Sequence, residues 1–179
     1  MMRSRGLWGA VIGALTLLLA VTVTPASASP QALDTLNCTS SSSTTYDPPI
    51  TLVPQTSKRT INQAYGPCVG TGAAADVTGG THTSSNITLR SCLQLLSTAT
   101  VSWTIKWNNG ESSTVTAQRV SNLAGAVFTN TFTGTVTSGF LEGHTFVETM
   151  TAPSTQITAC TLGLGSVSSL GAEHTFTLL

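Results

Sequence analysis

The sequence predicts an all-β protein, a single β-sandwich of about eight mostly antiparallel strands, from three observations. Threonine makes up 30 of the 151 residues from Ser29 to Leu179, and this β-branched residue suits the wet face of a pleated sheet. Ala, Leu, Glu and Lys are too sparse for amphipathic helices. Short alternating stretches recur between Gly, Pro and Asn turns, the spacing expected of a sandwich.

The clearest alternation runs from Val101 to Asn108. Val101, Trp103, Ile105 and Trp107 are apolar and the residues between them polar, the period of a half-buried strand. The Asn108-Asn109-Gly110 that follows is turn chemistry. A two-residue loop would set Trp103 and Ile105 against Thr116 and Thr114. A three-residue loop sets Trp103 opposite Val115 and Val101 opposite Ala117, and because a one-residue slip inverts every face, the longer loop is predicted.

Residues 1–28 read as a secretory signal peptide, with Arg3 and Arg5 as a basic start, Leu7 to Val23 as an apolar core and Ala26-Ser27-Ala28 as the cleavage site. The expectation is a secreted protein with no stable membrane anchor after cleavage, in which residues 29–179 form one domain. That domain holds five basic residues (Lys58, Arg59, Arg90, Lys106, Arg119) and seven acidic ones. The balance gives no electrostatic footprint for nucleic acid.

An exported chain with four cysteines, Cys38, Cys68, Cys92 and Cys160, points to two disulfides. Three connectivities are open, and Cys38 with Cys68 and Cys92 with Cys160 is favoured. No paired Cys/His spacing suggests a metal site.

Taken in order, Leu36 to Tyr46 is expected to be the first strand, with Leu36 and Cys38 inward. Ile50 to Gln63 holds a second, interrupted at Pro54 and therefore placed at an edge or a bulge. Val69 to Gly80 contains Gly70-x-Gly72-x-x-Ala75, but it lacks the flanking strand and helix of a dinucleotide fingerprint, so it reads as a flexible loop and no cofactor is expected. His82 to Cys92 is a third strand with Ile87 and Leu89 on one face, and Cys92 to Leu96 either continues it or forms a helical turn. After the central hairpin, Ala126 to Thr137 alternates Phe128, Phe132 and Val136 against threonines. His144 to Thr151 and Glu173 to Leu179 are further strands, and Ile157 to Leu164 returns Cys160 to the core.

The order Cys92, Trp103, Cys160 matches the Cys…Trp…Cys of an immunoglobulin domain, which leaves an immunoglobulin-like topology open and sets Trp103 against a disulfide. The tyrosine expected two residues before the second cysteine is replaced by Thr158. The motifs LDTLNCT, YGPC, RSCLQLL, TIKWNNGESST and FTGTVTSGFLEG together resemble small secreted β-rich, disulfide-containing proteins of actinobacteria. That resemblance implies export, two disulfides and a β-rich fold, and it transfers no catalytic residue.

Signals for catalysis are thin. Gly163-Leu164-Gly165-Ser166 lacks the last glycine of a nucleophile elbow. Among the carboxylates, Glu111 and Glu142 sit in turns. Glu148 shares a face with Phe146 and Met150, which puts it at an exposed strand end or buries it with a partner such as Arg90 or Arg119. Trp107, next to the hairpin tip, is the candidate ligand platform. The leading expectation is a non-catalytic binding or surface-interaction module for an extracellular protein or cell-envelope glycan. A secreted hydrolase built on His144 or His174 with a nearby Glu or Ser is the alternative, and an inhibitor or toxin-like factor is a third reading.

Overall fold

Alternation of apolar and hydroxylated residues yields eight strands in the computed structural model, which describes residues 33–179. The leader assigned to residues 1–28 lies outside the described residues. The strands are β1 (Thr35–Ile50), β2 (Gln55–Thr71), β3 (Gly80–Arg90), β4 (Ala99–Trp107), β5 (Ser112–Ala124), β6 (Val127–Gly139), β7 (Thr145–Pro153) and β8 (Val167–Leu178). Each pairs antiparallel with its sequence neighbour, and β8 pairs with β1 to close a barrel.

The all-β class and the eight antiparallel strands stand, while the sandwich and its immunoglobulin-like form are corrected. Alternation and tight turns are common to sandwiches and barrels. What separates them here is a pairing between the first and last strands, from Leu36 with Leu178 through Ser43 with Gly171. The β1–β8 pairing removes the free edges that the first and last strands of an open sheet would present. Pro54 accordingly marks no edge strand; it lies just before β2.

The central hairpin has the predicted register, Trp103 against Val115 and Val101 against Ala117. Gly110 sits at φ +89°, the left-handed position that the three-residue loop requires. The segment read as a flexible loop behaves differently. β2 continues to Thr71, and a 3₁₀ turn at Gly72–Ala74 packs Ala74 and the following Val77 into the core. Ile87 and Leu89 share one face of β3 as expected, and it is the outer one, where they stand 66% and 60% exposed.

Both disulfides form as favoured, Cys38–Cys68 between paired positions of β1 and β2, and Cys92–Cys160 between a 3₁₀ turn (Cys92–Leu96) and the helix α1 (Thr155–Thr161). They span 30 and 68 residues, which in the chain-entropy model stabilises the fold by roughly 3–5 kcal/mol each. Two disulfides suit an extracellular or otherwise oxidising environment. No helix among the described residues is long and apolar enough to cross a membrane.

The barrel holds two apolar cores. One gathers Leu36, Tyr65, Trp107, Phe146, Phe176 and Leu178; the other gathers Tyr46, Phe128, Met150, Ile157 and the Cys92–Cys160 bridge. Trp103 packs on the first, edge-to-face with Phe132 and Phe146, so it does not lie against Cys92–Cys160 as the immunoglobulin pattern implied.

Gly134 is where β5 and β6 approach most closely, since a Cβ there would fall 2.0 Å from the Thr116 carbonyl oxygen. Gly134→Ala is therefore expected to lower the unfolding free energy by about 1–3 kcal/mol through backbone displacement. Gly171, with open space around it, should accept alanine within about 0.5 kcal/mol. Urea denaturation of the two variants side by side checks this, and equal losses would contradict the close approach.

Candidate functional site

Between the two apolar cores the barrel wall turns polar on its inner side. Period-2 alternation carries Ser40 and Ser42 of β1, Gln63 of β2, His82 of β3, Asn130 of β6, Glu148 of β7 and His174 of β8 inward at this level. Most of these are buried, and Ser42 is half-buried. A cavity of about 260 Å³ occupies the same level, lined by most of these polar groups together with Tyr46, Trp103, Phe128, Phe132 and Leu170.

The cavity has an identifiable way out. β3 and β4 are joined by only two paired positions, Gly80 with Trp107 and Thr81 with Lys106, whereas β2 and β3 are paired over the whole of β3. Beyond Thr81 the two strands part. Val101, Ser102 and Trp103 all line the cavity, and since consecutive strand residues face opposite sides, the cavity passes the edge of β4 toward the surface. His82 bridges the parted strands, its Nδ1 donating to the Thr104 carbonyl at 2.9 Å.

Glu148 organises the polar layer. It is 1% exposed, so the expectation of an exposed strand end is overturned, and its partners are not Arg90 or Arg119. Its Oε1 accepts from His174 Nδ1 at 2.6 Å and from Gln63 Nε2 at 2.6 Å, and its Oε2 accepts from the Tyr65 hydroxyl at 3.3 Å. Tyr65 in turn accepts from Trp103 Nε1 at 3.1 Å. Burial, and next the negative Glu148, hold the Tyr65 phenol protonated well above its usual range, so it remains a donor to the carboxylate. A carboxylate only accepts, which places a proton on His174 Nδ1. In the neutral ring Nε2 then accepts from Ser42 Oγ, 2.8 Å away.

The residues singled out from sequence are distributed unevenly. His174 and Glu148 meet in the lumen. His144 lies elsewhere, its Nδ1 donating to the Leu141 carbonyl at 3.0 Å and its Nε2 standing 3.6 Å from Asp34. Trp107 is not a platform. It is 4% exposed, gives its Nε1–H to Ser113 at 2.8 Å and packs against Tyr65 and Phe176. Trp103 is the tryptophan that meets the cavity. Ser42, Gln63 and Arg59 belong to no motif and reach the site only through the strands that carry them. Their signal was parity, since each shares a face with known inward residues of its strand.

Ser42, His174 and Glu148 have the spacing of a nucleophile, a base and an orienting carboxylate. A complete acyl-transfer site also needs donors aimed at the developing oxyanion. Ser42 lies in mid-strand, paired with Gln63 on one side and Ala172 on the other, so the neighbouring amides belong to the ladders. No group of three or more His, Cys, Asp and Glu side chains suited to a metal ion occurs among the described residues. No protein-family model, curated protein or solved structure matches the chain.

Two expectations follow from the polar layer. Glu148→Ala leaves His174, Gln63 and Tyr65 without their acceptor, so it should reduce the unfolding free energy by about 3–5 kcal/mol; a loss below about 1 kcal/mol in urea titration contradicts the organising role. Burial lowers the His82 pKa below its ordinary 6.5, so on acidification the unfolded chain binds the proton first. The stability that this neutral ring contributes is intact above 6.5 and declines as pH falls toward the depressed folded value. The difference in unfolding free energy between wild type and His82→Asn should accordingly shrink between about pH 7 and pH 5, and a constant difference rules the neutral ring out.

Proposed function

We propose that the protein is a secreted, non-catalytic binding protein that takes a small amphipathic molecule into the barrel lumen. The observation that carries this reading is the cavity itself. It lies inside a closed barrel, opens where β3 and β4 part, and combines aromatic walls with a fixed set of hydrogen-bonding groups. Concave, mostly apolar sites with a few placed polar groups are the usual form of small-molecule pockets. A cavity of about 150 Å³ accommodates benzene, so this lumen of about 260 Å³ suits a body of one or two rings or a short chain.

This reading replaces the glycan or protein partner expected on Trp107, because that indole is buried and packed against Tyr65 and Phe176. Two disulfides and the signal-like residues 1–28 support export. Hydrolysis is the second reading, favoured by the Ser42–His174–Glu148 spacing of 2.8 and 2.6 Å. Binding is preferred because the amides around Ser42 are committed to the ladders, which leaves no backbone oxyanion site.

Trp103 reports the lumen. Titration with 2-naphthoate or 2-naphthylmethanol should quench its fluorescence saturably, with one equivalent bound. Ile61→Trp, which fills the lumen from β2, should abolish binding while the thermal transition persists; undiminished binding by that variant contradicts a luminal site. Incubation with p-nitrophenyl butyrate should show no release that depends on Ser42. Turnover lost in Ser42→Ala would establish the hydrolase reading instead.

A further inference from the structure

Three of the five basic residues of the domain converge at one end of this lumen. Arg59 of β2 and Arg119 of β5 line the cavity, and with Arg90 at the end of β3 they line an adjoining vestibule of about 300 Å³ that also includes Tyr46 and Leu95. They stand close enough to repel, for the Arg59 charge depresses the pKa values of both Arg90 and Arg119, after the larger effect of burial.

Among the described residues no acidic side chain pairs with them. The contacts between basic and acidic side chains among the described residues are His144–Asp34 and His174–Glu148, ion pairs only when the imidazole is protonated, and neither involves an arginine. The Nε atoms of Arg59, Arg90 and Arg119 are all buried without a hydrogen-bond partner. Buried guanidinium donors are ordinarily satisfied, and like charges held together without a counter-ion destabilise a fold. Two of the three are nevertheless held in place. Arg90 Nη2 donates to Asn86 Oδ1 at 2.6 Å, and Arg119 Nη2 donates to the Gln94 and Ser97 carbonyls at 3.0 and 2.8 Å. The 3₁₀ turn that supplies Gln94 is tethered to α1 through Cys92–Cys160. For Arg59 no such anchor occurs among the described residues.

We infer that the arginine cluster is the acid-binding end of the ligand site, and that the ligand is a small organic anion whose carboxylate or phosphoester group meets Arg59, Arg90 and Arg119 while its apolar body lies in the lumen. This rests on the luminal reading above and adds the charge of the ligand to it. Guanidinium groups match the geometry of both kinds of oxyanion. Net charge argues against a general attraction for anions, since the domain carries more acidic than basic residues. The positive potential is local to the mouth, where it selects one end of an entering molecule.

The test compares 2-naphthoate, 2-naphthyl phosphate and neutral 2-naphthylmethanol by calorimetry on the oxidised protein. The two anions should bind about tenfold or more tighter than the alcohol, and that advantage should fall as salt is raised and disappear in the Arg59→Gln/Arg119→Gln double variant. The comparison within wild type needs no variant, so a folding defect in the double variant leaves it decisive. Equal binding of all three probes overturns the anion inference and leaves the lumen reading intact. Failure of all three to bind overturns both. If only the phosphate gains, the acid is a phosphoester; if both gain alike, the site takes carboxylates as well.

Discussion

A carboxylate buried in the middle of a barrel is the constraint on which the rest of this structure depends. Glu148 is removed from water, and an unpaired charge in that position would be prohibitive. Three donors meet it, Gln63 and Tyr65 from β2 and His174 from β8, and Tyr65 is itself fixed by Trp103 of β4. The carboxylate thereby ties four strands across the lumen. Its network divides the interior into two apolar cores with a polar layer between them, and the cavity lies in that layer.

An interior packed with apolar side chains would be a simpler way to stabilise a barrel of this size. Replacing buried ionic groups with packed hydrophobes is often neutral or stabilising, so the polar layer accords with the proposed luminal ligand. The parted β3 and β4 strands fit the same explanation. A barrel that needed only closure would pair them fully, whereas here His82 spans the gap with a side chain in place of ladder bonds. The arginines, without an acidic partner among the described residues, stand at one end of this opening and the Glu148 network deeper in. A molecule entering as proposed would meet positive charge at one end and donors and acceptors of fixed orientation along the wall.

Much of the strand layout was legible from residues alone. The alternation from Val101 to Trp107 and the face matching with Val115 and Ala117 determined the hairpin register, because a one-residue slip would have buried threonines. Parity also held the site. His174 shares a face with Phe176 and Leu178, Gln63 with Tyr65, Ser42 with Leu36 and Cys38, and Arg119 with Val115 and Ala117. Reading polar residues on apolar faces as lumen-facing would have recovered the network. Closure was not legible, since the pairing of β1 with β8 joins strands far apart in sequence and leaves no local signal. The Cys92, Trp103, Cys160 spacing misled for a related reason: sequence separation matched an immunoglobulin domain, but the bridge joins a 3₁₀ turn to a short helix, and the indole turns to the opposite core. The burial of Trp107 was not legible either, because Ala74 and Val77, which share its core cluster, come from a segment rich in glycine.

The central claim is that the lumen between the two cores is the binding site and that the arginine mouth orients what enters it. A crystal structure of the protein with 2-naphthoate tests this most directly. The account predicts the naphthyl ring among Trp103, Phe128 and Phe132, with the carboxylate within hydrogen-bond distance of Arg59 or Arg119. A ligand seated on the outer wall, or one in the lumen with its carboxylate turned away from both arginines, would contradict it.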